Sequence, residues 1–145
     1  MDELYRDYIL DHYRRPRNKG HLPHPDVAHE EHNPLCGDRV ALELTIHDGM
    51  VTEARFDGEG CAISQASASV LTEMIVGRPL AELRQLGRED VLESLGIDNV
   101  SPARLKCALL PLNTLRAGAF GLNDHLEDEE DAEAAEEGAE EWPPR

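Results

Sequence analysis

The sequence predicts a domain that combines antiparallel β-strands with α-helices, and two patterns carry this prediction. From Val40 to Ile46 an apolar residue occupies every second position, and the Asp48-Gly49 pair then separates this run from a second possible strand over Val51 to Phe56, which is the arrangement of a β-hairpin. From Ile63 onward, the apolar residues recur every three or four positions, which is the spacing of amphipathic helices. A chain of 145 residues with these patterns is expected to form one main domain with its own hydrophobic core.

The first predicted element is a helix over residues 2–14. Apolar and aromatic residues repeat there at spacings of three and four, and Pro16 ends the pattern. Residues 15–24 contain prolines, a glycine and several bases, so they are expected to form a loop. Core packing explains part of the aromatic stripe on this helix, and a partner-facing patch is the alternative. The stripe consists of Tyr5, Tyr8 and Tyr13.

The strands follow this loop. Residues 40–46 place apolar side chains at every second position, which predicts a strand with one buried and one wet face. Residues 51–56 are expected to return antiparallel to it, and residues 27–32 to add a third strand.

Helices are predicted for most of the remaining chain. The stripe that begins at Ile63 ends at Gly77, a typical stop signal. Pro79 is expected to occupy the first position of a short helix that carries three leucines. Ser101 and Pro102 are typical of an N-cap and a first helical residue, and this last helix is expected to close at Gly121.

Negative charge is concentrated at the C-terminus. The net charge is −16, and residues 124–141 hold eleven acids and no Lys or Arg. Residues 1–123 hold nineteen acids and thirteen bases and show no basic face, which argues against nucleic acid as the main partner. We expect a domain over residues 1–122 and a disordered acidic tail over residues 123–145. The tail is most simply a solubilising appendage, with docking to a basic partner as the alternative.

The cellular context is expected to be the cytoplasm. The sequence has no apolar run long enough for a membrane span, and its charged N-terminus lacks the apolar middle of a signal peptide. Three cysteines, an odd number, make a disulfide framework improbable in a reducing compartment. The cysteines are therefore better explained by metal binding or thiol chemistry than by disulfide bonds.

The three cysteines are expected near the ends of elements, where sites are usually built. Cys36 follows Pro34 in a loop, Cys61 separates a strand from a helix, and Cys107 lies early in the last helix. A helix N-terminus favours a thiolate, and this applies more clearly to Cys61 than to Cys107. Arg104 and Lys106 stand close to Cys107 in the sequence and are expected to stabilise an anion there. The spacing of the three cysteines matches no paired zinc-binding pattern, so inert buried cysteines remain an alternative.

A second group of possible metal ligands is weaker. Four histidines are clustered in sequence, but they fall in a predicted loop and an edge strand, where a solvated surface is the favoured interpretation. They are His21, His24, His29 and His32.

Four segments of the chain follow one another in a distinctive order. They are Pro16-Arg17-Asn18-Lys19-Gly20, Asn33-Pro34-Leu35-Cys36-Gly37-Asp38, Gly58-Glu59-Gly60-Cys61-Ala62-Ile63-Ser64 and Arg104-Leu105-Lys106-Cys107. Together they resemble the IscU/SufU (NifU N-terminal domain) family of iron–sulfur cluster assembly proteins. The resemblance covers about residues 3–122 and implies a compact α+β domain, in which helices pack on a three-stranded antiparallel sheet. It also implies that Cys36, Asp38, Cys61 and Cys107 are ligands of a zinc or iron ion or of a transient 2Fe–2S cluster.

The resemblance implies two activities that the family divides between its branches. One is a non-catalytic scaffold that accepts sulfur from a cysteine desulfurase and transfers a nascent cluster to apo iron–sulfur proteins. The other is a zinc-dependent sulfurtransferase; in both, Cys107 is expected to accept the persulfide. Lys106 stands where the IscU branch has histidine and favours the second activity. The interval from Cys61 to Cys107 lacks the SufU insertion and favours the first, while a plain zinc-stabilised interaction module is a third alternative.

Overall fold

One antiparallel sheet of three strands, in the order β1-β2-β3, forms the centre of the fold. The strands are β1 (Val27–Asn33), β2 (Asp38–His47) and β3 (Met50–Glu59). The computed structural model describes residues 3–34, 37–97 and 101–122, so Cys36 and the predicted acidic tail lie outside the described residues. The expected third strand is confirmed and forms an edge of the sheet.

The turn between β2 and β3 has the backbone that its sequence predicts. Asp48 has φ 51° and Gly49 has φ 77°, the pair of positive values that a type I′ hairpin turn requires. Along β2 the side chains alternate between buried and half-buried as far as Thr45. The sheet therefore has one face that is fully covered, and this face carries the core.

Five helices accompany the sheet within the described residues. Ser101 caps the last helix by accepting a hydrogen bond from the backbone N–H of Arg104, and Gly121 ends that helix in the left-handed conformation. Pro79 was expected at the first helical position; instead it is the N-cap with ψ 132°, so that expectation was wrong by one residue. The helices are α1 (Glu3–Arg14), α2 (Ala62–Ile75), α3 (Leu80–Leu83), α4 (Arg88–Leu95) and α5 (Pro102–Phe120).

Helices α2 and α5 pack on the sheet and on each other, and α1 packs on α2. Phe56 of β3 and Leu112 of α5 are among the large side chains that are fully buried in this core. The Ser67 hydroxyl of α2 donates a hydrogen bond of 2.6 Å to the carbonyl of Ala108 in α5. This bond fixes the two helices against each other one residue from Cys107, so the fold controls where that thiol lies.

Stability is expected to depend on pH through His12, which is buried between α1 and α2 and is hydrogen-bonded through Nδ1 to the Ser69 hydroxyl at 2.8 Å. Burial lowers the His12 pKa, and Arg17 adds to that effect, while Glu73 and Asp11 oppose it. The unfolded pKa is about 6.5. The neutral form therefore stabilises the fold fully above that pH, and this contribution declines as pH falls below it toward the lowered folded pKa.

Urea unfolding at a series of pH values should show that the free energy of unfolding falls as the pH is lowered. In a His12→Gln variant this fall should be smaller. His47→Gln is the matched control, since the His47 side chain is 79% exposed. Equal pH dependence in the two variants would contradict the assignment to His12.

Candidate metal centre

Asp38 is the first residue of β2, and its side chain lies on the buried face of the sheet. Residues 38, 40, 42 and 44 share that face because side chains alternate along a strand. Asp38 is only 1% exposed. A carboxylate that opens an otherwise apolar face needs partners there, and it finds them at the start of α2.

Cys61 occupies the N-cap of α2, immediately after β3 and Gly60. Its backbone N–H donates to Asp38 Oδ1 at 3.0 Å, and its Sγ lies 3.5 Å from Asp38 Oδ2. The Sγ also accepts the N–H of Ser64 at 3.5 Å, as an N-cap side chain does. The Cys61 residue is exposed, so its thiol can be approached from solvent.

Gly60 makes the approach of Asp38 to Cys61 possible. It has φ +148°, and a Cβ built on it would lie 2.2 Å from Asp38 Oδ1. A glycine is therefore required at this position on grounds of both conformation and space.

Cys107 lies in the second turn of α5, and an early position in this helix was predicted. Its side chain is close to Asp38 and Cys61, and the residue is 8% exposed. Pro111 has no N–H to donate, so the α-helical hydrogen bond to the Cys107 carbonyl is missing. This interruption inside the helix was not predicted from the sequence.

One ligand atom from each of Asp38, Cys61 and Cys107 lies within 4.8 Å of the others. Zinc–sulfur bonds of about 2.3 Å and zinc–oxygen bonds of about 2.0 Å in a tetrahedron require ligand atoms about 3.5–3.8 Å apart. The observed 3.5 Å between Asp38 Oδ2 and Cys61 Sγ fits that geometry. Three of the four predicted ligands thus converge from different elements, and the fourth, Cys36, lies outside the described residues.

The electrostatics of Cys107 differ from the expectation that its basic neighbours favour a thiolate. Burial raises the pKa of the Cys107 thiol far above its usual value, and Asp38 and Cys61 raise it further. Lys106 and Arg104 lie beside the adjoining groove and are not among these causes. A bound metal cation would instead favour the thiolate form of Cys107, because coordination deprotonates a thiol outright.

The groove beside the candidate site has a volume of about 480 Å³. Arg104 and Lys106 lie along it, as does Arg6 of α1 together with the buried Asn33. Neither Arg6 nor Asn33 was predicted as a site residue, although Asn33 opens one of the four segments that carry the family resemblance. Arg6 gave only a weak signal, one helical turn before Ile9 and Leu10, which also line the groove.

The histidines are not part of this centre. His21 pairs with Glu43 at 2.8 Å, His32 pairs with Glu30 at 2.9 Å, and His29 pairs with Glu31. Asp38, Cys61 and Cys107 are the only candidate metal-binding cluster among the described residues. In the same part of the chain, no helix combines the length and apolar character needed to cross a membrane.

The chain is similar to proteins of both branches suggested by the sequence. It is 37% identical over 134 residues to the zinc-dependent sulfurtransferase SufU of Bacillus subtilis, covering 81% of this chain and 90% of that protein. It is also 37% identical over 128 residues to the iron–sulfur cluster assembly scaffold protein IscU of Thermotoga maritima, covering 78% and 90%.

Solved structures agree with this similarity. The N-terminal part of a NifU-like protein from Brucella abortus matches with a TM-score of 0.67 and 26% identity, covering 81% of this chain and 93% of that one. FiSufU of Fervidobacterium islandicum matches with a TM-score of 0.65 and 28% identity, covering 77% and 93%. The family model of the NifU-like N-terminal domain matches residues 4–126. The chain therefore belongs to the NifU-like N-terminal domain family.

Proposed function

We propose that this protein is an iron–sulfur cluster assembly scaffold that accepts sulfur from a cysteine desulfurase, binds iron or zinc, and passes a nascent 2Fe–2S cluster to apo acceptor proteins. The convergence of one carboxylate and two thiols within 4.8 Å is the observation that carries the proposal. The family membership and the similarity to the T. maritima scaffold support it.

The proposed ligand set suits a cargo that must be released. Cys36, Cys61 and Cys107 would supply three thiolates, the usual ligands of a 2Fe–2S cluster. Asp38 would supply the fourth ligand, and its oxygen is a harder and weaker donor to iron than sulfur. Because Cys61 is exposed, one side of the proposed ligand set is open to solvent, and iron, sulfur or a cluster would enter and leave there.

The proposed sulfur step uses Cys107. Its thiolate attacks the outer sulfur of the persulfide on the desulfurase, a new S–S bond forms on Cys107, and the desulfurase cysteine leaves as a thiolate. Burial opposes the anion of Cys107 in the metal-free protein, and a nearby positive charge would favour it. Lys106 and Arg104 line the groove beside Cys107 and would support the resulting persulfide anion.

A second candidate function is that of a zinc-dependent sulfurtransferase. Two observations favour it: the similarity to the B. subtilis SufU, and Lys106 directly before Cys107. The same four residues would hold the zinc ion, which would supply positive charge to keep thiols deprotonated. In this function the protein would relay sulfur and build no cluster.

Anaerobic reconstitution distinguishes the two functions. The full chain is incubated with ferrous iron, cysteine and a cysteine desulfurase and then followed by absorption and Mössbauer spectroscopy. A 2Fe–2S spectrum that transfers to an apo-ferredoxin, and that Cys61→Ser abolishes, is the expected result. A protein that retains one zinc ion, forms no cluster and still accelerates the desulfurase would establish the relay instead. A protein that does neither would overturn both.

Asp38→Asn is expected to separate the ligand role of this residue from its structural role. Asparagine keeps one carbonyl oxygen to accept the Cys61 N–H, but it lacks the second carboxylate oxygen. Zinc affinity is therefore expected to fall by roughly tenfold or more. The free energy of unfolding of the metal-free protein should change by less than about 1 kcal/mol.

Chelator competition and urea unfolding measure these two quantities. Glu59→Gln is the matched control, since it neutralises an acid near the site whose side chain is 83% exposed. Equal zinc affinities of the two variants would argue against Asp38 as a ligand.

A further inference from the structure

A small cavity lies next to the candidate metal centre, at the free edge of β3. It has a volume of about 130 Å³, and its lining includes Tyr13, Lys19 and the last residues of β3. Gly60 also lines it, and the next residue in the chain is the proposed ligand Cys61. The cavity is distinct from the groove beside Cys107, because the two have no lining residue in common.

One wall of this cavity carries a buried hydrogen-bond acceptor that has no donor. Gln65 of α2 is 6% exposed, and its Nε2 donates to the Ser64 hydroxyl at 3.2 Å. Its Oε1 is buried and accepts no hydrogen bond from the described residues. A Cβ built on Gly58 would lie 3.3 Å from this oxygen, so Oε1 lies beside a residue that lines the cavity. Because an unsatisfied buried acceptor is unfavourable, the cavity is suited to a molecule that donates to it.

The edge of β3 adds a backbone donor and a backbone acceptor. The Phe56 N–H donates to the Asn18 carbonyl at 2.9 Å, and the Phe56 carbonyl accepts the Gly20 N–H at 2.8 Å. Backbone groups of alternate residues point to the same edge of an antiparallel strand, so the N–H and C=O of Gly58 point to this edge too. No residue in the described part of the chain bonds to them there. Gly58 thus presents the unpaired groups of a strand edge to the cavity.

The charges around the cavity are mixed in sign. Lys19 and Glu59 both line it. Lys19 forms no ion pair with a residue that the structure describes, and the Glu59 carboxylate is 83% exposed and lies 3.8 Å from Arg39. A simple anion would be repelled by Glu59, and a simple cation would be repelled by Lys19. A molecule that carries one charge of each sign avoids both repulsions.

The volume of the cavity limits the size of that molecule. A water molecule occupies about 30 Å³ in the liquid, so the cavity has room for roughly four of them. This is enough for the smallest amino acids but not for a nucleotide or a folded peptide. An amino acid also carries the required pair of charges, since its ammonium and carboxylate groups are both ionised at neutral pH.

We propose that this cavity binds a small zwitterionic α-amino acid, of the size of glycine, alanine or cysteine. Its ammonium group donates to Gln65 Oε1 and the Gly58 carbonyl and faces the Glu59 carboxylate. Its carboxylate accepts the Gly58 N–H and faces Lys19. The inference stands on the cavity and its unpaired groups, and it does not rest on the proposed function.

L-Alanine is the probe of choice, because it offers no thiol to the candidate metal centre. Isothermal titration calorimetry of the full chain should show saturable binding of one L-alanine per chain. Propionate and ethylamine are of similar size, but each lacks one of the two charged groups. Each should therefore bind roughly tenfold more weakly or not at all, since a charged hydrogen bond is lost in either case.

Two variants assign the binding to this cavity. Gln65→Leu should weaken L-alanine binding by roughly ten- to hundredfold, because the ammonium group loses a buried acceptor. Its matched control is Gln85→Leu, at an exposed glutamine outside the cavity. Lys19→Met should weaken binding by roughly two- to fivefold, as expected for a partly exposed ion pair, and Arg84→Met is its control. Circular dichroism verifies that the four variants are folded.

Three results would overturn the proposal. The first is the absence of saturable L-alanine binding, which would leave water as the donor to Gln65. The second is binding of propionate or ethylamine as tight as that of L-alanine, since the site would then not recognise a zwitterion. The third is an unchanged affinity in Lys19→Met and in folded Gln65→Leu, which would place the bound amino acid elsewhere. If Gln65→Leu does not fold, Lys19→Met alone decides this last point.

Discussion

Cys107→Ser is expected to abolish sulfur acceptance and to weaken zinc binding by roughly a hundredfold or more, since even residues behind the ligands typically contribute 10–100-fold. Cys107 is 8% exposed and shares a 4.8 Å cluster with Asp38 and Cys61. A serine hydroxyl there would be almost fully protonated at neutral pH and would be a poor ligand for a soft metal site. It also cannot form a persulfide.

Two measurements check this expectation. Mass spectrometry after incubation with the desulfurase and cysteine should show one added sulfur on the native protein and none on the variant. Chelator competition should show the loss of zinc affinity. Serine is similar in size to cysteine, so the replacement should leave the fold intact, as circular dichroism would verify.

Cys61→Ser is the comparison that separates the two roles of Cys107. It removes another proposed ligand, so zinc binding should fall comparably, but the acceptor thiol remains. Sulfur that appears on Cys107 in this variant and is absent from Cys107→Ser would assign the acceptor. Acceptance at the normal rate by Cys107→Ser would show that another cysteine receives the sulfur.

Gly60→Ala is expected to disrupt the site through its geometry, without changing any ligand. The added Cβ would lie 2.2 Å from Oδ1 and 2.6 Å from Cγ of Asp38, and the backbone has φ +148°. Asp38 must therefore move, and the hydrogen bond from the Cys61 N–H to its carboxylate is lost. We expect a destabilisation of about 2–4 kcal/mol, from a strained backbone conformation and a buried carboxylate without its partner.

Gly20→Ala provides a closely matched control. Gly20 has φ +140°, so alanine meets a similar backbone strain there, but nothing lies within 4 Å of the added Cβ. Urea unfolding and zinc affinity of the two variants should be compared. The difference in unfolding free energy measures the clash with Asp38, and only Gly60→Ala should lose zinc affinity. Equal zinc affinities would show that the position of Asp38 does not matter for binding.

Much of the fold could be predicted because its signals are local. Asp48 and Gly49 specify their turn by their own backbone preferences, and Ser101 with Pro102 specifies a helix start by hydrogen bonding and a fixed φ. Helix α4 gave no usable signal, since it has eight residues and buries only Val91 and Leu95. Such a short stripe does not rise above chance in a sequence.

The candidate site was predicted in part, and largely through resemblance. Spacing alone did not show whether the cysteines are metal ligands or inert core residues, because intervals of 23 and 46 residues separate Asp38, Cys61 and Cys107. No local rule relates residues so far apart. The helix N-terminus was correctly placed at Cys61, whereas the influence of burial on the Cys107 pKa depends on what packs around α5.

By itself, the sequence determined the local elements, the chemistry of the available ligands and the strong charge of the C-terminal segment. The tertiary structure decided which of these meet: the alternation of β2 turns Asp38 into the core face, and Gly60 lets Cys61 approach it. The packing of α5 on α2 then brings Cys107 to the same point. Turns and caps follow from the energies of neighbouring residues, whereas a site built from three elements exists only after the core has fixed their positions.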